Sequence, residues 1–319
     1  MREVILNFPK QFKIGQERAK EAKLAGIFSK IILCGIGGSA LPGSLINDLD
    51  LKISIPLFVH RDYNLPKNAT KDSLIIAISF SGNTEETLSA YEQAIAQNYP
   101  VIAISTGGKL QELAQKNQRP FVIVPNDCLQ PRFGTGYLVG TVLKILANCN
   151  LIEDQAKTLD ELARNLNPES LETKGKELAE KLVDKVPVIY ASNSFQSVAL
   201  MWKIKFNENS KIMAFWNYFP ELNHNEMVGL TNLKAKFHFI ILKDETDHER
   251  TQKRMELFTS LAKDRGAEVE LIDFTGKTKL EKIFSNLILG DWVSYHLALA
   301  YGQDPTPVEI VEKFKKALS

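Results

Sequence analysis

Ser79, Ser81 and Thr84 place three hydroxyls around Gly82 and Asn83, directly after the apolar run Leu74-Ile75-Ile76-Ala77. Hydroxyl donors beside the unpaired N–H groups of a helix start suit an anion, and a glycine lets backbone approach the ligand closely. The same residue types also favour an ordinary capped helix start, since Ser, Thr and Asn are preferred there. A second glycine-rich turn, Gly35-Ile36-Gly37-Gly38-Ser39-Ala40, follows the run Ile31-Ile32-Leu33-Cys34. It fits the dinucleotide fingerprint G-x-G-x-x-A, with Asp62 as the acid for a ribose hydroxyl, so a nicotinamide-dependent dehydrogenase is one alternative.

Five further residues could act on a substrate. Arg132 is the only base in residues 127–136; it is either a solvated loop residue or a planar donor for an oxyanion. Glu208, in Phe206-Asn207-Glu208-Asn209-Ser210-Lys211, is an exposed helix-end carboxylate or a proton acceptor. His224 lies in the polar run Asn223-His224-Asn225-Glu226, next to an aromatic cluster at Phe215, Trp216, Tyr218 and Phe219, which suggests a pocket. No second histidine stands at zinc-ligand spacing from it, so no metal is expected there. Thr306 and Lys313 are seven residues apart near the end; on one helix capped by Thr306 they would share a face, and an ordinary surface lysine is the plain reading of Lys313.

The elements that must carry these groups follow from the apolar pattern. Short buried runs at 31–34, 55–59, 74–79, 101–104 and 121–124 alternate with helical spacing at 84–97, 110–116 and 137–147. Such alternation predicts right-handed βαβ units and a parallel sheet, with both glycine-containing loops at its carboxyl edge. Residues 151–185 have helical spacing without a strand run and are expected to connect two domains. Beyond them, strands at 188–191, 237–242 and 269–272 and helices at 197–205 and 245–265 repeat the plan, and Ser192-Asn193-Ser194 echoes the first Ser-rich turn. The expected organisation is 1–150, a connector at 151–185, and 186–319. The apolar segment 280–300, broken by Gly290 and Asp291, is expected in a core or subunit interface rather than a membrane.

Composition narrows the classes. A chain of 319 residues, 44% hydrophobic, can build two cores. Its 39 basic and 38 acidic residues leave a formal charge of +1 with no basic block, which argues against nucleic acid or an anionic membrane as the main partner. Cys34, Cys128 and Cys149 are odd in number and far apart, so no disulfide framework is expected and a cytoplasmic setting fits.

Taken together, Gly37-Gly38-Ser39, Ser79-Phe80-Ser81-Gly82-Asn83-Thr84, Pro131-Arg132, Asn207-Glu208-Asn209, Asn223-His224-Asn225-Glu226 and Asp304-Pro305-Thr306-Pro307 resemble the sugar isomerase (SIS) domain family, in particular its dual-specificity phosphoglucose/phosphomannose isomerases. The order of these islands spans nearly the whole chain. Phe133-Gly134-Thr135 departs from the Ala-Ala-Leu-like residues expected after the arginine. The resemblance implies an α/β fold of two SIS domains, each a flavodoxin-like parallel sheet flanked by helices, in a homodimer. It also implies that hexose 6-phosphates are isomerised without metal or redox cofactor. By position, Gly38, Ser39, Ser79, Ser81 and Thr84 would hold the phosphate; Glu208 would be the base and Arg132 would steady the enediolate. His224, contributed by the partner subunit, and Lys313 would assist ring opening, and Thr306 would bear on acceptance of the mannose epimer. A non-catalytic phosphosugar regulator would need the hydroxyl cradle without Glu208, Arg132 and His224.

Overall fold

The computed structural model describes residues 1–128 and 130–318; Leu129 and Ser319, which belong to the loop before Arg132 and to the end of the second expected domain, lie outside the described residues. Two compact units form, one of Asn7–Leu166 and one of Met1–Leu6 with Asn167–Ser319.

In the first unit, β1 (Lys30–Cys34), β2 (Leu57–His60), β3 (Ser73–Ile78), β4 (Val101–Ser105) and β5 (Phe121–Ile123) form one sheet in the order β2-β1-β3-β4-β5. Every pairing is parallel, with Leu33 opposite both Val59 and Ile76. This is the flavodoxin-like order, and its strand order reverses between β1 and β3, where ligands of open α/β sheets bind. The central strands β3 and β4 are buried at every position, which is why they read as continuous apolar runs rather than alternating ones. One face is covered by Glu85–Ala96 and Gly108–Lys116, packing Tyr91, Ala94, Leu110 and Ala114 on Ile32, Ile75, Ala77 and Ala103. Helices Lys10–Arg18 and Thr135–Asn148 pack against each other so closely that a Cβ on Gly15 would lie 2.2 Å from the Tyr137 carbonyl oxygen.

The second unit holds β6 (Val186–Ser192), β7 (Phe215–Phe219), β8 (Phe237–Lys243) and β9 (Glu268–Asp273), again all parallel, in the order β7-β6-β8-β9. The aromatic cluster that sequence reading set at a pocket rim is thus strand β7. Its core joins Val188, Tyr190 and Phe239 to Phe219, Met255 and Phe258. The helix Lys279–Ala300 is buried in this unit, and its two breaks in apolarity have local partners. A Cβ on Gly290 would press on the indole of fully buried Trp202, while Asp291 forms a buried ion pair with Lys205.

The stretch 151–185 is shared between the units. Helix Ala156–Asn165 belongs to the first, whereas Glu172–Leu182 lies in the second and packs on Lys279–Ala300. Met1–Leu6 joins the second unit through Arg2, whose guanidinium grips the Glu172 carboxylate with bonds of 2.9 and 2.7 Å. Among the described residues no helix is long and apolar enough to cross a membrane.

Candidate active site

At the carboxyl edge of the first sheet, three loops lock together. The turn Gly37–Ser39 follows β1, the loop 79–84 follows β3, and the turn Pro131–Phe133 precedes helix Thr135–Asn148. The Phe80 N–H donates to Ser39 Oγ at 3.0 Å, tying the first two. A Cβ on Gly38 would lie 3.0 Å from Pro131 and 3.1 Å from the Arg132 nitrogen, and one on Gly134 would lie 2.8 Å from the Phe80 ring. Hence the glycine at 134, where the family pattern departs, makes room for the Phe80 side chain. Backbone at 131–132 also occupies the approach to Gly38 that a dinucleotide pyrophosphate would need, which argues against the dehydrogenase reading.

Within the loop, Ser79 is fully buried; its hydroxyl donates to Thr84 Oγ1 at 2.8 Å and accepts from the Thr84 N–H at 3.2 Å. Ser79 thereby orients Thr84, whose own hydroxyl hydrogen is left to give. Ser81 is exposed and its Oγ accepts from the Asn83 N–H at 3.3 Å. Gly82 has φ +75°, and a Cβ there would fall 1.8 Å from the Gly107 carbonyl oxygen, so only glycine fits. Thr84 stands at the N-cap of Glu85–Ala96 without using its side chain for a cap bond. The Thr84 hydroxyl is thus not spent on capping, and the first-turn N–H groups of that helix stand beside it.

Arg132 is 2% exposed, and its guanidinium carbon sits 4.6 Å above the Phe133 ring centroid. It is therefore not the solvated loop residue that a lone surface arginine would be.

In the second unit Glu208 sits on a five-residue π-helical turn, Phe206–Ser210, that continues the helix Gln196–Lys205. Such wide turns concentrate at functional positions because they push a side chain out of the regular helical register. Its neighbours are pinned: Asn209, fully buried, donates to Ser294 Oγ at 2.9 Å, and Ser210 Oγ donates to the Ser294 carbonyl at 2.8 Å. Asn207 donates to the Ile212 carbonyl at 2.9 Å. Lys211, in a left-handed conformation at φ +60°, donates to the carbonyls of Glu208 at 2.6 Å and Pro307 at 2.5 Å. This brings the Glu208 turn against the terminal segment. Glu208 and Lys313 line one cavity of about 530 Å³ together with Asn207, Lys211, Asp304 and Pro307.

Thr306 is placed differently from expectation. The last helix runs Glu309–Leu318, so Thr306 precedes it and does not share a helical face with Lys313. Thr306 precedes Pro307 and is driven to extended backbone, and the helix begins two residues beyond that proline. The Thr306 N–H is held by Asp304 Oδ1 at 2.8 Å instead.

His224 ends the short turn Glu221–His224 and is exposed. Two residues on, the Glu226 carboxylate accepts from the Tyr190 hydroxyl at 2.5 Å and from the Asn217 amide, which fastens the segment to β6 and β7. Burial, then that bond to Glu226, push the Tyr190 hydroxyl well up, so it stays a donor. His224 is not among the residues that line the Glu208 cavity. The second Ser-rich turn differs from the first: beside Ser192, the carboxyl edge holds the buried Asp244, paired with Lys282 at 2.8 Å, and the buried Asp247. Carboxylates there disfavour an anion beside Ser192, which sets this turn apart from the hydroxyl loop of the first sheet.

Sequence reasoning missed Gln11, Lys211 and the Asn209–Ser294 pair. Lys211 and Asn209 carried a signal, as polar neighbours of Glu208 in its own island. The others act through bonds to residues far along the chain.

Residues 171–318 match the family described as bacterial phospho-glucose isomerase C-terminal SIS domain. A bifunctional phosphoglucose/phosphomannose isomerase from Caldicellulosiruptor bescii is 39% identical, covering 100% of this chain and 99% of the relative. One of the same description from Aquifex aeolicus is 36% identical over 91% of each chain. Among solved structures, the C-terminal domain of glucosamine-fructose-6-phosphate aminotransferase from Francisella tularensis shares the fold at a TM-score of 0.72 with 16% identity, covering 97% of this chain and 98% of that one.

Proposed function

The chain belongs to the bifunctional phosphoglucose/phosphomannose isomerase family, and from that footing we propose that it interconverts glucose 6-phosphate and mannose 6-phosphate with fructose 6-phosphate, with Glu208 as the base. The cavity that Glu208 and Lys313 line together carries this assignment: a carboxylate on a pinned turn beside an ammonium is what proton transfer on a sugar needs. In the aldose-to-ketose direction Glu208 takes the proton from C2 and returns it to C1, while a proton passes from the C2 hydroxyl to the C1 carbonyl oxygen. The intermediate enediol is planar at C2. Both C2 epimers therefore reach the same intermediate, and one base can serve glucose and mannose substrates alike.

Negative charge grows on the substrate oxygens as the proton leaves. Arg132, held by its surroundings before substrate arrives, stabilises that charge more than the ground state. The phosphate binds at the loop of Ser39, Ser81 and Thr84, with Ser79 and Gly38 shaping it, and supplies remote binding energy that positions the reacting carbons. Lys313 and a His224 supplied by a second copy of the chain open the sugar ring, and Thr306 bears on the C2 epimer. The exposed His224, outside the Glu208 cavity of its own chain, supports an assembly of two copies, and the free thiols of Cys34, Cys128 and Cys149 fit a cytoplasmic setting.

A coupled assay with glucose 6-phosphate and with mannose 6-phosphate, without added nicotinamide or metal, tests the function. Fructose 6-phosphate from both substrates is the expected result. Tight phosphosugar binding with no turnover would indicate a regulator instead.

A further inference from the structure

Gln11, on the helix Lys10–Arg18, is 3% exposed and closes its amide around the turn that carries Arg132. Its Nε2 donates to the Phe133 carbonyl at 2.7 Å, and its Oε1 accepts from the Gly136 N–H at 3.1 Å. The first bond holds the residue next to Arg132. The second satisfies an N–H in the first turn of Thr135–Asn148, which has no partner within its own helix. A single planar amide that donates on one side and accepts on the other fixes both the position and the angle of the turn between them. The two helices cannot slide to relax this grip, because Gly15 abuts the Tyr137 carbonyl and Thr141 Oγ1 donates to the Gly15 carbonyl at 3.0 Å. The Phe133 ring lies under the Arg132 guanidinium, so the chain of contact runs from Gln11 through Phe133 to Arg132.

We infer that Gln11 is a positioning residue for Arg132, acting on the rate of the proton-transfer step and not on phosphosugar binding. This rests on the reading of Arg132 as the stabiliser of the enediolate. An arginine displaced by a fraction of an ångström loses transition-state stabilisation, while the Phe80–Ser39 bond that ties the phosphate loop involves neither Gln11 nor its two partners.

The test is a cycle of Gln11→Met and Arg132→Ala on the full chain, with kcat and KM measured for fructose 6-phosphate. Gln11→Met keeps the side chain's length and removes both bonds. It is expected to lower kcat about tenfold to a hundredfold with KM changed less than about twofold. In the Arg132→Ala background it should cost no further kcat, because the two residues act as one unit. Asn148→Ala, which removes bonds to the carbonyls of Ala19, Lys20 and Ala22 at the far end of the helix Thr135–Asn148, should lower the melting temperature and leave kcat unchanged. Native kcat in Gln11→Met beside an impaired Arg132→Ala would overturn the inference, as would an equal further loss in the double variant. Near-native kcat in Arg132→Ala would instead remove the reading of Arg132 beneath it. Should Gln11→Met not yield folded protein, Gln11→Glu carries the same cycle: it keeps the acceptor for Gly136 and sets an oxygen against the Phe133 carbonyl.

Discussion

The Ser79 hydroxyl donates to Thr84 Oγ1 at 2.8 Å, so two of the loop's three hydroxyls form one unit in which the buried member orients the outer one. Thr84→Val should therefore weaken binding of a hexose 6-phosphate by about tenfold to a hundredfold, the worth of one hydrogen bond to a charged group. Ser79→Ala should weaken it in the same direction and also lower stability by about 1–3 kcal/mol, since the Thr84 N–H loses its partner. Calorimetric titration and thermal unfolding of both variants check this; unchanged affinity in Thr84→Val would count against the loop as the phosphate site.

Glu208→Gln should fold and bind substrate as before, because the turn is held by Asn209 and Ser210 and not by the carboxylate. Its kcat should fall by about 10²- to 10⁴-fold, as an amide cannot accept the C2 proton. Turnover near that of the parent enzyme would remove Glu208 as the base.

Lys205 and Asp291 pair with side chains only 4% and 5% exposed, joining the helix that leads into the Glu208 turn to the long helix behind it. Lys205→Met strands the Asp291 carboxylate in the core and should cost about 3–5 kcal/mol. Adding Asp291→Leu should restore most of that loss, measured by denaturant unfolding.

His238 is 2% exposed on β8, and burial lowers its pKa from the usual value of 6.5 against a weaker upward pull from Glu268; His296 is lowered by burial likewise. The native state thus binds these protons more weakly than the unfolded chain, and stability is full above about pH 6.5 and declines as pH falls below it. Thermal unfolding between pH 7.5 and 5.5 should show a shallower decline in His238→Gln than in the parent protein. Equal slopes would place the pH dependence elsewhere.

How much of this was readable before folding differs from residue to residue. β1, β3 and β4 are buried on both faces, so their continuous apolar runs, followed at once by Gly37 and by Ser79, are local statements of a parallel sheet with ligand loops at one edge. Arg132, as the only base of residues 127–136, and Glu208 and His224, in polar islands beside aromatics, were singled out by type and place, and the family resemblance supplied their expected roles. β7 escaped as a strand because its aromatics suggested a pocket wall, and Thr306 was set at the cap of a helix that starts only at Glu309.

The amino-acid sequence by itself determined the fold class and singled out the hydroxyl loop and Glu208 as candidates, since each depends on residue type and on neighbours a few positions away. Only the tertiary structure decided that Phe80 closes on Ser39, that Asn209 and Ser210 pin the turn of Glu208 to Ser294, and that Gln11 holds the turn of Arg132. Those bonds join residues 41, 85, 84 and 122 positions apart. The physical reason is that a buried polar group takes whichever partner the packed chain brings within about 3 Å, and no local pattern encodes which partner that will be.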